Sequence, residues 1–281
     1  MTDNTSYPFA DVELARKLER TEAQGNIDFV EARAKKSPDS GAQWTEIAGC
    51  FAMFDGAGSP LTQTFGLGIS QPVTKADLDQ IEQFFLQKEG EVFHEWSPLA
   101  DPTAFALLIE RGYSPIEFSN VLYRPITKDF SLQKKSESGL SVRLIDDSEA
   151  DLWAETAAKG WSEFPELGDF MRELGGITAR SASRSFLAES AGQPIATGAL
   201  TISNDVALLA GASTIPEARR QGAQLALLEG RLRYAANLGC TIAMMVASPG
   251  SGSQRNAERH GFRVAYTRTK WQLNRRDAET I

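Results

Sequence analysis

The segment STIPEARRQGAQLALL, residues 213–228, joins an apolar strand to an amphipathic helix through a turn that holds Arg219, Arg220, Gln221 and Gly222. A helix N-terminus offers backbone N–H groups with no intrahelical acceptor and a partial positive charge. Gly222 has no side chain to keep a ligand from that backbone, and the two arginines add fixed charge. The combination suits a pyrophosphate. The same features also describe an ordinary strand–helix turn with solvated arginines.

Reading outward, residues 206–214 (VALLAGAST) form an apolar strand, and the helix runs from about Gly222 to Leu238. Its apolar face carries Leu225, Leu228, Leu232 and Ala235, and Gly239 marks its stop. Gly230 inside the helix costs ~1 kcal/mol relative to alanine and so implies a close backbone contact. TIAMMVA (241–247) is apolar throughout, as expected of a parallel strand covered on both faces. Strand, helix and strand make a right-handed βαβ unit. Ser251 and Gln254 read as a capping box for a short helix ending at Gly261, and FRVAYTRTKW closes as an alternating strand. Upstream lie a strand at 141–145, a helix from about Glu149 to Gly160, and a loop with Trp161, Phe164 and Pro165. A second helix to about Arg180 and strands near 184–190 and 194–202 follow, with an Asn204-Asp205 hairpin turn. ITKDFSLQKKSESG (126–139) is polar and without apolar period, which marks a linker.

The N-terminal half ends in the same order. FGLGI (65–69) reads as a strand, Thr74 and Asp77 open a helix with Leu78, Ile81 and Phe85, and EVFHEW (91–96) is a strand. Asp101-Pro102 opens another helix ending at Gly112, and SPIEFSNVLYR is a final strand. Gly90 to Gly112 spans 22 residues, as does Gly239 to Gly261, and both second glycines precede an aromatic residue. This spacing points to an internal duplication.

The 213–228 segment resembles the acyl-CoA-binding motif of GNAT acetyltransferases, Arg/Gln-x-x-Gly-x-Gly/Ala after a strand and a Pro-Glu turn. Pro216-Glu217 precedes Arg219-Arg220-Gln221-Gly222-Ala223-Gln224, with Gln224 departing from the small residue expected last. The resemblance runs over residues 140–281, through the strand at 241–247 to Gly261-Phe262. It implies an α+β fold, layered α/β/α, with a mixed twisted sheet of the acyl-CoA N-acyltransferase type in two tandem domains. Residues 1–130 would be a degenerate GNAT-like half, 131–139 a linker and 140–281 the acyl-CoA-binding domain. Mycothiol synthase-like proteins are built from two such halves.

By that resemblance acetyl-CoA is the co-substrate. Ala212, Ser213 and Thr214 would pair with its pantetheine arm, and backbone N–H groups from Gln221 through Gly222, Ala223 and Gln224 to Leu225 would hold the pyrophosphate. A backbone N–H of the same strand would polarise the thioester carbonyl, where oxyanion charge develops. The acceptor is then the amine of a small molecule, attacking directly. Arg219 and Arg220 add charge, and Asn256 is a further candidate contact. Many family members carry a tyrosine that protonates the departing thiolate, but that position here is Ala257. Ser253 and Tyr266 are substitute candidates, each also readable as structural. Glu163 and Glu166, in the aromatic loop WSEFPEL, are candidate bases or solvated carboxylates. The N-terminal helix start, Gln71 to Asp77, lacks a glycine and carries carboxylates that would repel a pyrophosphate.

Bulk properties exclude other classes. The 281-residue chain has a net charge of −8, against a nucleic-acid binder, and no apolar run long enough to span a bilayer. Its N-terminus lacks a signal layout, so a cytoplasmic protein, monomer or homodimer, is expected. Cys50 and Cys240 read as buried reduced thiols. His94 and His260 have no partners at metal-ligand spacing, so no metal is expected. Two other functions remain open from the residues alone: an acyl-CoA-binding sensor without turnover, and an interaction scaffold that binds no nucleotide.

Overall fold

The computed structural model describes residues 6–127 and 139–274. The linker reading at 131–139 therefore falls, Gly139 apart, outside the described residues. In chain order the elements are α1 (Val12–Lys36), β1 (Gln43–Ile47), β2 (Cys50–Phe54), β3 (Gln63–Phe65), α2 (Lys75–Leu86), β4 (Phe93–Trp96), α3 (Pro102–Arg111) and β5 (Tyr113–Pro125). Then come β6 (Leu140–Leu144), α4 (Ala150–Lys159), α5 (Gly168–Thr178), β7 (Arg184–Ser190), β8 (Gln193–Ser203) and β9 (Val206–Thr214). The last are α6 (Ala223–Asn237), β10 (Ile242–Ala247), α7 (Gly252–Arg259) and β11 (Arg263–Leu273). The described residues fall into two compact units, one of residues 6–7 with those within Tyr123–Met245, the other Pro8–Leu122 together with 246–274.

In the first unit the strand order is β10-β9-β8-β7-β6. β6 to β9 are antiparallel neighbours and β10 runs parallel to β9, as the βαβ pattern requires. Successive residues of a strand face opposite ways. Thus Leu187 of β7 packs with Trp153 and Ala157 of α4, whereas Phe186 meets Tyr234 of α6 edge-on. Helices cover both faces. Asn204, at φ +53°, makes the β8–β9 turn, with Ser203 opposite Val206. Gly230 has the close contact expected of it: a Cβ there would lie 2.8 Å from Val142 Cγ1 of β6. Leu225, expected on the buried face of α6, is only half-buried; Leu227 and Arg231 lie on that face instead.

In the second unit the order is β1-β2-β3-β4-β11-β5. β2 is buried on both faces. Cys50, Ala52 and Phe54 pack with Leu78, Ile81 and Phe85 of α2 and Leu108 of α3, while Phe51 and Met53 pack with Ala23, Ile27 and Val30 of α1. Each unit is thus an α/β/α sandwich. Residues 12–54, which carry α1 and the β1–β2 hairpin, had no assigned pattern in the sequence. FGLGI is not a strand beyond Phe65, because Gly66 and Gly68 adopt φ of +80° and +75° and turn the chain. The Ser251 capping box is half-formed: Ser251 accepts from the Gln254 N–H, but Gln254 Oε1 accepts from Gly250 N–H. Among the described residues no helix is long and apolar enough to cross a membrane.

Candidate functional site

The site begins with a strand whose middle is uncovered. Val206–Leu209 are buried, Ala210, Gly211 and Ala212 are exposed, and Ser213 is buried again. On one side the parallel register with β10 covers Val206, Ala207 and Leu208 only. On the other side Ala199 faces Ala210 and Thr197 faces Ser213, so Gly198 alone stands against two residues, Gly211 and Ala212. This is a β-bulge, which locally withdraws residues from the ladder and re-aims the strand. Gly211 has φ +59°, and a Cβ there would sit 3.0 Å from Ala199 Cβ and 3.3 Å from the Trp153 ring. The Thr197 hydroxyl donates to the Gly211 carbonyl at 3.1 Å.

The strand leads through a single 3₁₀ turn, Pro216–Ala218, into the arginine turn. Arg220 and Gly222 both take positive φ, +63° and +86°. Gly222 is the N-cap of α6 and supplies no side-chain cap. The first intrahelical bond is Ala226 N–H to the Gly222 carbonyl, and the N–H groups of Ala223, Gln224 and Leu225 find no acceptor among the described residues. Nothing lies within 4 Å of where a Gly222 Cβ would be. Ala223 itself is buried, while Gln221 is exposed and donates from its side chain to the Glu217 carbonyl at 3.0 Å. The open helix end contrasts with α2. There Thr74 and Asp77 complete a capping box, so side chains already satisfy the groups an anion would need.

Three side chains fix this turn to its surroundings. Gln224, the departure from the motif, turns its amide back to the Ser213 carbonyl (2.9 Å) and the Thr214 hydroxyl (2.8 Å), tying α6 to the end of β9. The Ser213 hydroxyl donates to the Ala157 carbonyl of α4 at 2.8 Å. Arg219 pairs with Glu163 and donates to the Gly160 carbonyl at 3.0 Å. Gly160 is required there, since a Cβ would fall 1.8 Å from Ser213 Oγ. Arg220 and Glu166 are exposed.

The structure therefore brings together Ala212, Ser213, Thr214, Arg219 and Gln221 to Leu225, with Glu163 joined to them through Arg219. Arg220 and Glu166 belong to the same unit, and the remaining candidates, Ser253, Asn256 and Tyr266, to the second. Ser253 is exposed on α7, and Asn256 is half-buried with its carbonyl bonded to His260 Nδ1 at 2.7 Å. Ala257, at the position of the family tyrosine, is buried. The Tyr266 phenol is buried and donates to Glu19 Oε1 at 2.8 Å, and burial holds it well above the usual phenol range.

Glu19 belongs to a buried charge cluster with Arg268, Glu22 and Glu95. Burial raises the Glu19 carboxyl to about 7 against the opposing pull of Arg268. His94 is also interior, bonded to Thr64 and Tyr113, and burial lowers it to about 3, so it is neutral. Both cysteines are buried and free. Among the described residues no three His, Cys, Asp or Glu side chains form a metal-binding group.

Sequence reasoning missed Gly160, Thr197 and Arg231. Arg231 had a readable signal: it falls one turn from both Leu227 and Ala235 on the apolar stripe of α6, an odd place for a charge.

Residues 149–262 match the model of the acetyltransferase (GNAT) family. No curated protein matches the sequence. Among solved structures, the chain is similar to a GCN5-related N-acetyltransferase from Kribbella flavida, with TM-score 0.66, 18% identity, and coverage of 93% of this chain and 96% of that one. It is also similar to a tandem GNAT protein from the clavulanic acid biosynthesis pathway, with TM-score 0.55, 14% identity, and coverage of 81% and 79%. A GCN5-related N-acetyltransferase from Sphaerobacter thermophilus gives 0.51, 16%, and coverage of 76% and 72%. These likenesses carry the fold, a mixed sheet with flanking helices of the acyl-CoA N-acyltransferase type.

Proposed function

With residues 149–262 a GNAT acetyltransferase domain, we propose that the chain moves an acetyl or related acyl group from acetyl-CoA to the amine of a small molecule. The observation that supports this most is the pairing of two open main-chain surfaces in one unit. The uncapped first turn of α6 offers N–H groups to a diphosphate, and the exposed 210–212 segment of β9 offers a strand edge to an extended arm. Gln224 ties the two together. Nothing at Gly222 obstructs an approaching phosphate.

In the proposed reaction Gln221 to Leu225 hold the diphosphate, with Arg220 and, once released from Glu163, Arg219 adding charge. Ala212 to Thr214 guide the pantetheine arm. The amine nitrogen attacks the thioester carbon, whose oxygen gathers negative charge and accepts from a main-chain N–H of the bulge. The carbon–sulfur bond breaks, coenzyme A leaves as thiolate, and the nitrogen loses its extra proton through water. The thiolate then takes a proton from solvent. The bond to Glu19 commits the Tyr266 phenol elsewhere.

One observation favours a second reading. Ala257 stands at the sequence position where many GNAT enzymes carry a thiolate-protonating tyrosine, and an alanine there suits a protein that binds acyl-CoA without turning it over. The test is thiol release from acetyl-CoA in the presence of a panel of primary amines, with direct binding measured alongside. Amine-dependent release establishes the transferase. Binding without release by any amine establishes the sensor, and neither leaves a tandem α/β scaffold.

A further inference from the structure

Arg231 projects from the middle of α6 into the interior and is 3% exposed. Its guanidinium makes three bonds, all to main-chain carbonyls. Nε donates to Leu227 at 3.2 Å, and Nη1 donates to Ala199 of β8 and Ala210 of β9, both at 3.0 Å. No carboxylate lies within ion-pair distance among the described residues. Removal from water lowers its pKa to about 10, which still leaves it charged near neutrality. A buried cation without a counter-ion is costly, and an apolar side chain of that size would fill the space at less cost. The space is shaped for it: a Cβ on Gly198 would be 2.9 Å from the guanidinium carbon. Gly198 is the single residue standing against Gly211 and Ala212 in the bulge.

The Ala210 carbonyl and the Gly211 N–H are two ends of one peptide group. A charged donor on the carbonyl pulls electron density from the amide nitrogen and strengthens its N–H as a donor. That N–H belongs to the exposed, re-aimed stretch of β9, so the effect is delivered to the surface while the charge stays inside.

We propose that Arg231 is a positioning residue for acyl transfer: its guanidinium fixes the β9 bulge through the Ala210 carbonyl and, through that peptide, strengthens the Gly211 N–H as a donor to the thioester oxygen as negative charge develops there. This rests on the transferase reading above. It assigns a task in the chemical step to a side chain that touches neither donor nor acceptor, and it separates that step from donor binding at Gly222–Leu225.

The experiment compares wild type with Arg231→Met, Arg231→Gln and Arg231→Lys in the full chain. With acetyl-CoA and a responsive amine, R231M loses kcat about tenfold or more, since deleting an oxyanion donor outright costs on the order of a hundredfold. Its KM for acetyl-CoA and its calorimetric Kd for coenzyme A stay within about twofold, a factor worth less than half a kcal/mol. R231Q, a neutral donor, falls between, and R231K keeps most of the rate. In the ligand-free protein the Gly211 amide proton resonance moves upfield in R231M and is held in R231K. If R231M does not fold, R231Q and R231K carry the same comparison. A folded R231M or R231Q with wild-type kcat and an unmoved Gly211 resonance overturns the assignment. Equal losses in kcat and coenzyme A affinity also overturn it, by making Arg231 a structural residue only. A wild type that binds coenzyme A without turnover, or does not bind it, overturns the transferase reading and this role with it.

Discussion

Arg219 in the turn before α6 is joined to Glu163 in the loop after α4, and its other terminal nitrogen donates to the Gly160 carbonyl at 3.0 Å. On the proposed reading, a charge that would meet the diphosphate is thus paired with a carboxylate from the aromatic loop. Both side chains are about half exposed, 41% and 54%, so the pair is screened by solvent and salt. Exposed pairs of this kind contribute between zero and ~1 kcal/mol.

Releasing Arg219 should therefore tighten donor binding modestly. Glu163→Gln is expected to lower the calorimetric Kd for coenzyme A by up to about fivefold at low salt, the equivalent of ~1 kcal/mol, while kcat stays within about twofold. A large loss of kcat with unchanged Kd would instead make Glu163 the base that relieves the attacking amine of its proton.

Gly160 and Ser213 share one small space. A Cβ on residue 160 would fall 1.8 Å from Ser213 Oγ, so Gly160→Ala must displace that hydroxyl from the Ala157 carbonyl or shift the end of α4. Overpacking of this kind costs about 1–3 kcal/mol, read as a lower urea midpoint at unchanged slope. Adding Ser213→Ala should recover part of the loss, because contacting residues are not additive. Full additivity of the two changes would contradict the shared-space explanation.

Gly222 has φ +86° with open space where a side chain would project. Gly222→Ala is expected to cost about 1–2 kcal/mol of stability from the left-handed backbone alone. Its effect on coenzyme A binding should be larger, about tenfold or more, the equivalent of ~1.4 kcal/mol, because the methyl stands in the ligand's approach. Parallel urea titrations and calorimetry separate the two. Unchanged affinity in a stable G222A chain would place the diphosphate elsewhere.

The buried carboxyl of Glu19 gives a pH signature. Burial raises it from its ordinary 4.5 to about 7, despite Arg268 and the Tyr266 hydrogen bond favouring the charged form. Between those two values the folded chain binds a proton that the unfolded chain lacks. The stability this group contributes is therefore full below 4.5 and is lost as pH rises through about 7. Glu19→Gln should change stability relative to wild type progressively in its own favour across that window, then level off. Urea unfolding of both proteins from about pH 4 to about pH 8 measures the difference, and parallel curves would contradict the shift.

Much of the first unit was legible because its local rules agree with its packing. The VALLAGAST strand, the Asn204-Asp205 turn, the Gly239 stop and the tight Gly230 contact each had a local reason visible in the residues. The open N-terminus of α6 and the closed one of α2 were likewise readable, from Gly222 in one and from Thr74 with Asp77 in the other. What escaped depends on tertiary contact. The bulge at Gly211 needs Gly198 opposite it and Arg231 beneath it, 13 and 20 residues away in the chain. α1 escaped because its buried face includes Glu19, whose charge is answered by Arg268 near the other end of the chain. FGLGI misled because its apolar residues look like a strand, while its two glycines build a turn.

The most direct test of the main-chain cradle at Gly222 is unfolding of the full chain with and without coenzyme A. At about a hundredfold excess over the dissociation constant, a ligand that binds only the native state adds ~2.7 kcal/mol. The expected result is a clear rise in Tm for wild type that shrinks in Gly222→Ala. A wild-type Tm that stays unchanged at saturating coenzyme A would contradict the cradle, and the transferase function with it.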